Sequence, residues 1–434
     1  MKHLVLITGI YYPEPSPTGR CAHQYVSLLK DEYIVDVIYI NSGLEKTYGS
    51  LVEGERLYGL RHWRLWLESW FGQKCQNSAN LLLQRLFRLA VLGMKSIGRI
   101  QSMVFFPNNL RWFYKKAYRT LCRIHEEKSI DVVFTVNSPF VAHLAGAAFK
   151  KKYPEVRWVT YTVDPYYVGH SKKKNADRTK EKAFQLERGI LSGADANLLS
   201  EEVYQNAPGL YDTMKERTYP LPYLLEDSSW HEPVEIFNKN CVNLVYAGRF
   251  YKDLRNPEYL LQTMLEIEDP KIVLHLYAAS DCDSLIDAYV KKSEGRILRH
   301  EIVSSSEIKK VLAAADILVN VENTIPEFKP SKVFEYISMR KPIINFCPGQ
   351  NPDATLTMYQ KCITISQDED VLMENALRIK NFCSGAKKEG VSWDDLERIY
   401  SKHLPKGVRC IIQQAIAGNL EKLLQDRGQY EELV

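Results

Sequence analysis

The chain has 434 residues, 45% of them hydrophobic and 25% charged, with 22 Gly, 19 Pro and a net charge of +4. This near-average composition excludes a collagen, a coiled coil and a wholly disordered chain, and at roughly 150 residues per domain the length predicts two or three domains. The nine Cys are scattered without a Cys-x-x-Cys pair, which excludes a disulfide framework or a zinc ribbon and indicates a reducing cytoplasm.

Short apolar runs alternate with helical patterns through most of the sequence. The first run, residues 3–8, is too short for a signal peptide, and we interpret it as a buried strand. Later in the first half, strands are predicted at 34–40, 131–136, 157–162 and 196–200, and helices at 21–30, 139–151 and 179–193. This alternation indicates parallel sheets built from βαβ units, and hence an α/β fold. No apolar run reaches about 18 residues, so no membrane-spanning helix is predicted.

The positive charge is concentrated in one segment. Residues 56–125 contain thirteen Lys and Arg against a single acid, Glu68, together with four of the seven Trp. Basic residues interleaved with Trp, Phe and Leu suit the surface of an anionic bilayer. An amphipathic helix with a solvated basic face would explain the same pattern, whereas nucleic acid is disfavoured because no recognised binding motif accompanies the charge. We therefore expect an anionic membrane surface as a partner, and no nucleic acid.

A Pro- and Gly-containing stretch at 206–240 interrupts the rhythm and predicts a linker. Beyond it, a second set of strands is predicted at 241–247, 271–278, 315–321 and 342–346. The predicted domains are 1–220 with a basic aromatic helical insert at about 45–125, then 221–405, then a helical tail at 406–434. Two doubly wound, Rossmann-like domains facing a cleft would bind ligands at the carboxyl ends of their strands.

The second half contains a segment suited to phosphate and ribose. Residues 327–335 read Glu-Phe-Lys-Pro-Ser-Lys-Val-Phe-Glu, in which Pro330 and Ser331 predict the start of a helix. Backbone N–H groups there, with the Lys332 ammonium, would suit phosphate or ribose oxygens. Glu335 follows one turn later and could accept hydrogen bonds from two vicinal hydroxyls.

The same segment resembles the signature of glycosyltransferase family 4. Glu327 and Glu335 enclose seven residues that include Pro-Ser-Lys, and Glu-Tyr followed by Lys-Pro-Ile-Ile comes after. Members of that family are retaining enzymes of the GT-B fold that use nucleotide-sugar donors, and the resemblance implies that Glu327 contacts the donor sugar. It extends over most of the chain except roughly 45–125 and the tail after about 405, and it includes helix-strand passages at 187–200 and 304–320.

Two further segments match the family in the expected order. Residues 246–257 correspond to its strand-then-Gly-Arg segment, which implies that Arg249 and Arg255 clamp the donor diphosphate, although Asn256 stands where the family usually has Gly. An Arg where the family has Lys retains the charge and adds a planar fork suited to phosphate. Residues 8–20 resemble the loop after the first strand, where Gly19 would let the backbone approach the donor phosphate or the acceptor.

One position departs from the family. Its members commonly carry a His near the donor sugar, but residues 159–167 contain none. Asp164 is our candidate for part of that catalytic role, although an Asp-Pro pair is also an ordinary turn starter.

No metal or cofactor is expected. Asp281-Cys282-Asp283 imitates a metal-binding Asp-x-Asp motif, but it follows a predicted strand and opens a polar helix, so we interpret it as a helix cap. Neither Gly-x-Gly-x-x-Gly nor a Walker sequence occurs, which argues against a dinucleotide oxidoreductase or a P-loop ATPase.

The resemblance therefore implies a hexosyltransferase. We expect it to move a sugar from a nucleoside-diphosphate sugar to a saccharide acceptor, which the basic insert suggests is lipid-linked, with retention and without a metal, in bacterial surface polysaccharide biosynthesis. We expect it in the cytoplasm, peripherally associated with the inner face of the cell membrane. The alternatives are another GT-B enzyme, such as a nucleotide-sugar epimerase, and a catalytically silent homologue that binds a membrane or a partner through 56–125.

Overall fold

Two sheets made mainly of parallel strands organise the chain, each in its own unit. The computed structural model describes residues 1–11, 16–44, 47–104, 110–168, 176–227, 235–325, 332–349, 351–385 and 390–419. The first unit comprises the described residues of Met1–Pro222 and of Val408–Val434, and the second those of Tyr223–Gly407.

The sheet of the first unit contains eight strands among the described residues, in the order β3-β4-β2-β1-β5-β6-β7-β8. All pairs are parallel except β3 with β4. The strands are β1 Lys2–Ile7, β2 Tyr33–Ile40, β3 Ser50–Val52, β4 Glu55–Leu60, β5 Val132–Val136, β6 Arg157–Thr162, β7 Ala196–Ser200 and β8 Thr218–Leu221.

The sheet of the second unit has six parallel strands within the described part of the chain, in the order β11-β10-β9-β12-β13-β14. They are β9 Val242–Phe250, β10 Ile272–Ser280, β11 Ile297–Arg299, β12 Ile317–Val321, β13 Ile343–Cys347 and β14 Cys362–Ser366. All nine strands predicted from the apolar runs are present.

Helices connect the strands in both units. They are α1 Pro17–Ser27, α2 Trp63–Asn77, α3 Leu81–Val104, α4 Arg111–Glu127, α5 Val141–Lys152, α6 Ala176–Leu191, α7 Glu201–Asn206, α8 Glu258–Glu266, α9 Asp283–Lys292, α10 Ser305–Ala314, α11 Lys332–Ser338, α12 Ala354–Thr357, α13 Leu372–Gly385, α14 Trp393–Ile399 and α15 Pro405–Ala417. No helix in these described ranges is long and apolar enough to cross a membrane.

Burial explains why the strands are continuous apolar runs rather than alternating ones. Leu4, Val5, Leu6 and Ile7 of β1 are all fully buried. A parallel sheet covered by helices on both faces has no solvated face, so both sides of each central strand must be apolar. The helices α4 and α5 cover one face of the first sheet, and α8 and α13 pack on the second.

Each sheet has one point where the strand order reverses. In the first unit it lies between β1 and β5, because β2 follows β1 on the other side. In the second unit it lies between β9 and β12, since β10 follows β9 on the other side. In doubly wound sheets, ligands bind outside the carboxyl ends of the strands at such a point.

The linker prediction for 206–240 is wrong for its first part. Residues Pro208–Leu210 and Asp212–Arg217 form short 3-10 turns, and β8 follows them. Pro220 misled the sequence interpretation, because Pro is excluded from central strands. In β8 it is tolerated, since β8 pairs only with β7 among the described strands and so lies at the edge of the sheet. Residues 228–234 lie outside the described ranges.

The basic insert is not wholly helical. Its first part is the hairpin of β3 and β4, joined by Glu53 and Gly54, which have φ of 49° and 82°. Two central residues with positive φ fit a type I′ turn, the form that matches the twist of a hairpin. Helices α2, α3 and α4 form the remainder.

Candidate functional site

The turn after β9 carries the two arginines predicted to bind a diphosphate. Tyr251 and Arg255 close this turn through backbone hydrogen bonds of 3.1 and 2.9 Å. The Arg255 Nε donates to Asn323 Oδ1 at 2.9 Å, and its Nη1 donates to the Arg249 carbonyl at 3.3 Å. Since Asn323 follows β12, Arg255 joins the two strand ends at the switch point of the second sheet. Asn256, the departure from the family pattern, accepts from the N–H of Glu258 at 2.9 Å and so turns the chain into α8.

Arg249 lies beside the same turn. Its guanidinium lies 5.1 Å from the centre of the Tyr251 ring, and its carbonyl accepts a hydrogen bond from Tyr246 at 3.2 Å. The guanidinium is thus held by a ring face, which leaves its N–H fork available for an oxyanion.

A buried tyrosine fixes α11 against β9. The Tyr336 hydroxyl accepts from the Ala247 N–H at 2.9 Å and donates to the Ala247 carbonyl at 3.1 Å. Burial raises the pKa of Tyr336, and the charges of Glu335 and Arg255 also act on it. The two hydrogen bonds hold α11 beside β9, the strand that contains Arg249 and leads into the turn with Arg255.

Lys332 and Glu335 occupy the first turn of α11. The Lys332 Nζ lies 2.8 Å from Glu335 Oε2, and the Glu335 side chain is only 14% exposed. The other oxygen, Oε1, is buried and has no hydrogen-bond partner among the described residues. A buried acceptor without a donor costs about 1–3 kcal/mol, so this oxygen is suited to a ligand hydroxyl.

The second unit thus brings together four of the predicted residues: Arg249, Arg255, Lys332 and Glu335. Glu327 and Ser331 lie outside the described residues. Their predicted roles, contact with the donor sugar and with the phosphate or ribose, stay predictions.

In the first unit, Gly19 has a structural role that the sequence did not reveal. It is buried in the first turn of α1, where its N–H donates to the Oγ of the capping residue Ser16 at 3.1 Å. A Cβ at this position would lie 2.3 Å from the Ile10 carbonyl oxygen. Glycine is therefore needed to let α1 approach the loop after β1, and approach to a ligand stays a prediction.

Asp164 ends the segment that follows β6. Its carbonyl accepts from the side-chain amide of Asn137, and the Oδ1 of the same Asn accepts from the Val163 N–H at 3.1 Å. Asp164 is an exposed residue, but the surrounding protein partly desolvates its carboxyl group. This desolvation and the negative charge of Glu202 raise its pKa to about 6. A carboxyl group with that pKa can exchange a proton near neutral pH.

Besides Asn137, a second residue that holds this loop, Glu187 of α6, was not predicted from the sequence. It is fully buried, and its two oxygens accept from the backbone N–H groups of Tyr166 and Tyr167 at 2.9 and 3.1 Å. Burial raises its pKa to about 7, although these hydrogen bonds act in the opposite direction. The sequence signal that could have identified Glu187 was an acidic residue on the buried face of a helix. Through its two hydrogen bonds, Glu187 holds the loop that contains Asp164.

The Asp281-Cys282-Asp283 segment does not cap α9 as predicted. Cys282 is the N-cap residue and makes no capping hydrogen bond through its side chain. Asp281 Oδ1 instead accepts from the Lys252 N–H at 2.8 Å, and Asp283 pairs with Arg299 at 2.5 Å. The segment supports the turn after β9. Across the described ranges, no three His, Cys, Asp or Glu side chains are grouped to hold a metal ion.

Two doubly wound parallel sheets, each with a switch point, define the class: this is the GT-B fold of glycosyltransferases. Solved structures of that class match nearly the whole chain. A sucrose-phosphate synthase from Thermosynechococcus elongatus has a TM-score of 0.68 at 14% identity, over 98% of this chain and 100% of that one. HepE from Anabaena, in complex with UDP-glucose, has a TM-score of 0.58 at 12% identity, over 97% of this chain and 100% of that one.

The lipopolysaccharide outer core galactosyltransferase WaaB is a third such structure. Its TM-score is 0.55 at 12% identity, over 95% of this chain and 99% of that one. No protein-family profile and no curated protein matches the sequence. At these identities the likeness shows the fold, and the chemistry must be argued from the residues.

Proposed function

We propose that the chain is a retaining glycosyltransferase of family 4 that transfers a sugar from a nucleoside-diphosphate sugar to a saccharide acceptor. One observation carries the proposal: Oε1 of Glu335 is buried without a hydrogen-bond partner among the described residues, Lys332 pairs with the other oxygen, and Tyr336 ties this helix to β9, which leads to Arg255. A nucleoside diphosphate needs a hydrogen-bond acceptor for its ribose hydroxyls and cations for its phosphates, and these residues supply both.

The charged residues have distinct roles in this proposal. As the glycosidic bond breaks, negative charge develops on the leaving diphosphate, and Arg249, Arg255 and Lys332 stabilise it electrostatically. Glu335 accepts the ribose hydroxyls through its free oxygen. Glu327, by the family resemblance, contacts the donor sugar, and Ser331 contributes to donor binding.

The first unit takes the other reactants. Asp164 stands in the segment where the family carries its His, and in its ionised form it accepts the proton that the acceptor hydroxyl loses as that oxygen bonds to the sugar; a pKa of about 6 suits this exchange. The loop after β1, held against α1 through Gly19, contacts the donor phosphate or the acceptor. Asn137 and Glu187 hold the Asp164 segment and are positioning residues.

The acceptor is proposed to be lipid-linked, and the protein to work peripherally at the inner face of a bacterial cell membrane in surface polysaccharide biosynthesis. The concentration of basic and aromatic residues in 56–125 supports this location. WaaB, a lipopolysaccharide galactosyltransferase, shares the fold. A lipid-linked saccharide is therefore a reasonable first acceptor to test.

Donor binding by thermal shift tests the site. A ligand that binds only the folded state stabilises it by about 2.7 kcal/mol at 100 times its Kd. A panel of uridine, guanosine, thymidine and adenosine diphosphate sugars should contain at least one that raises the Tm of the wild type. UDP-glucose is the first member to try, since HepE was solved with it.

Two variants localise the binding. Glu335→Gln should lose most of the Tm increase, because an amide replaces one of the two acceptor oxygens, whereas Glu374→Gln, an exposed residue of the same unit, should retain it. Equal shifts for both variants would contradict the assignment of Glu335. Proton NMR of the product should show a retained anomeric configuration, and inversion would contradict the family assignment.

A further inference from the structure

Helices α2 and α3 form a hairpin whose interior is well defined. Phe87 of α3 packs against Trp70 and Phe71 of α2, with ring centres 6.4 and 6.2 Å apart. Arg64 of α2 is only 8% exposed; it pairs with Glu68 at 3.1 Å and donates to the Met94 carbonyl of α3 at 3.2 Å. The hairpin is therefore held together by one face of α3.

That packed face leaves the opposite face of α3 uncovered among the described residues. The packed residues Gln84, Phe87, Val91, Met94 and Gly98 recur at spacings of three and four, which place them on one side of the helix. The opposite side carries exposed aliphatic side chains, of which Leu92 lies among the cations described below. We call the other five, which are 37% to 68% exposed, the apolar face: Leu82, Leu86, Leu89, Ile97 and Ile100. A helix of 24 residues is about 36 Å long, so this is an extended surface.

A row of cations borders the apolar face along one edge. Arg85, Arg88 and Lys95 are exposed and recur at helical spacing, and we call them the basic edge. Helix α3 contains no acid, and the single acid of 56–125, Glu68, is already paired with Arg64. Arg64 itself is buried in the hairpin and cannot contribute to an outer surface, although it belongs to the thirteen basic residues counted in the sequence.

We propose that α3 docks parallel to the surface of an anionic phospholipid bilayer, with the apolar face among the upper acyl chains and the basic edge at the headgroup phosphates. Leucine and isoleucine on one side with cations beside them are what such an interface selects. This proposal specifies how the protein would bind the membrane named in the proposed function. It depends on that function only in linking membrane binding to a lipid-linked acceptor.

The charge pattern favours a bilayer over the other occupants of an apolar surface. A second copy docking through the same face would bring two basic edges together without acids to neutralise them. Nucleic acid would neutralise the edge but would leave the leucines in water. Of these three occupants, the anionic bilayer satisfies both features at once.

Co-sedimentation with vesicles tests the proposal in the full chain. The probes are vesicles of phosphatidylcholine alone and of phosphatidylcholine with about one third phosphatidylglycerol. The wild type should bind the anionic vesicles at low salt and more weakly at 0.5 M salt, because the electrostatic part is screened within about 10 Å already at 0.1 M. Equal binding to both vesicles, or none at low salt, would overturn it.

Matched triple variants separate the two features. Replacing Arg85, Arg88 and Lys95 by Gln should weaken binding to anionic vesicles about a hundredfold, since each cation near the surface contributes about 1 kcal/mol, or about fivefold in affinity. The control removes the same charge from the second unit, through Lys291→Gln, Lys292→Gln and Lys310→Gln, and should bind like the wild type. A loss of the same size in the control would mean that net charge, not the basic edge, is responsible.

The apolar face has its own test. Leu82→Ser, Leu86→Ser and Leu89→Ser together should abolish the binding that survives at high salt, whereas Ile302→Ser, Met373→Ser and Leu377→Ser, equally exposed elsewhere, should not. Unchanged binding of the first triple would overturn the proposal. So would a dimer in sedimentation velocity that the leucine triple converts to a monomer, because a second copy would then cover the face.

Failure of docking and failure of the proposed function are distinguishable. Both α3 triples should keep the wild-type urea midpoint and the donor-induced Tm increase, because α3 lies outside the donor site of the second unit. Loss of vesicle binding with donor binding intact supports the docking proposal. A wild type that binds vesicles but no nucleotide sugar contradicts the proposed function alone.

Discussion

Arg255 links two strand ends and at the same time offers a cation, which makes it the most informative single residue of the second unit. Its Nε donates a hydrogen bond to Asn323, and its Nη1 donates one to the carbonyl of Arg249. Arg255→Ala and Arg249→Ala should each lower kcat/KM about a hundredfold to a thousandfold, a loss of about 2.7–4 kcal/mol in transition-state stabilisation that is usual when a hydrogen-bond donor aimed at developing charge is removed. Steady-state kinetics on the active donor measures the effect.

Arg398→Ala is the matched control for these variants. Arg398 is an exposed residue of the same unit that pairs with Asp395 at 2.9 Å, and its loss should leave kcat/KM unchanged. Arg249→Ala and Arg255→Ala with kinetics within a factor of three of the wild type would remove the diphosphate assignment.

Glu187 should make the stability of the protein depend on pH. Its pKa in the folded protein, about 7, lies above the ordinary value of a glutamate near 4.5, so the folded state binds more protons than the unfolded state between these values. The contribution of Glu187 to the free energy of unfolding is therefore full below about pH 4.5 and is lost as the pH rises through 7. Glu187→Gln does not titrate, so its stability deficit relative to the wild type should shrink from pH 5 to pH 8.

Urea denaturation at pH 5, 6, 7 and 8 measures this deficit. A deficit that is constant over the series would show that Glu187 titrates alike in the folded and unfolded states. The same variant should lower kcat more than it changes KM for the donor, since the loop holding Asp164 is displaced while the donor residues are not.

At the scale of elements, α1 depends on a contact that only glycine permits. Gly19→Ala places a Cβ 2.3 Å from the Ile10 carbonyl oxygen, and α1 must then shift. Overpacking of this kind costs about 1–3 kcal/mol, and we expect a decrease of that size in the free energy of unfolding. Chemical denaturation measures it, with activity as a second reading of the loop after β1.

Gly189→Ala is the opposite case within the same unit. Gly189 lies inside α6, and no heavy atom lies within 4 Å of the position that a Cβ would occupy there, so alanine should stabilise by about 0.5–1 kcal/mol. If both substitutions stabilise, the close approach at Gly19 is not a constraint on the fold.

The elements that the sequence could predict share one property. Strands such as β1 and β6 are buried at five of their six positions, so apolar, aromatic and β-branched residues fill both faces, and this pattern can be recognised in the sequence. Strands β3 and β8 could not be recognised in this way, because β3 has only three residues and β8 contains Pro220. Edge strands need neither length nor a full apolar run.

The site divides along a similar line. Arg249, Arg255, Lys332 and Glu335 were predicted because they sit within contiguous motifs. Glu187 and Asn137 were not predicted, since both act on the backbone of the Asp164 segment from other elements. Glu187 lies about twenty residues away in α6, and Asn137 directly follows β5. Contacts between elements leave no local pattern in the sequence. The exposed face of α3 was only partly predictable, because charge counting included Arg64, which is buried.

At the scale of the whole molecule, two doubly wound sheets supply two switch points, and Arg249 and Arg255 lie at and just after the end of β9, beside the second one. In the proposed reaction, three cations of the second unit, Arg249, Arg255 and Lys332, stabilise the leaving diphosphate. Because these cations can neutralise the leaving group, transfer should persist in excess EDTA. Complete loss in EDTA, restored by manganese but not by potassium, would contradict that assignment; the control is a metal-dependent transferase assayed in the same buffer.

The sharpest test of the proposed reaction is the release of nucleoside diphosphate from the donor that binds, measured with and without saccharide and lipid-linked saccharide acceptors. We expect acceptor-dependent release, matched mole for mole by a glycosylated product and reduced about a hundredfold or more in Arg255→Ala. Donor binding without release for any acceptor would contradict the proposal in favour of a silent homologue, and conversion of the donor to a new nucleotide sugar without an acceptor would contradict it in favour of an epimerase.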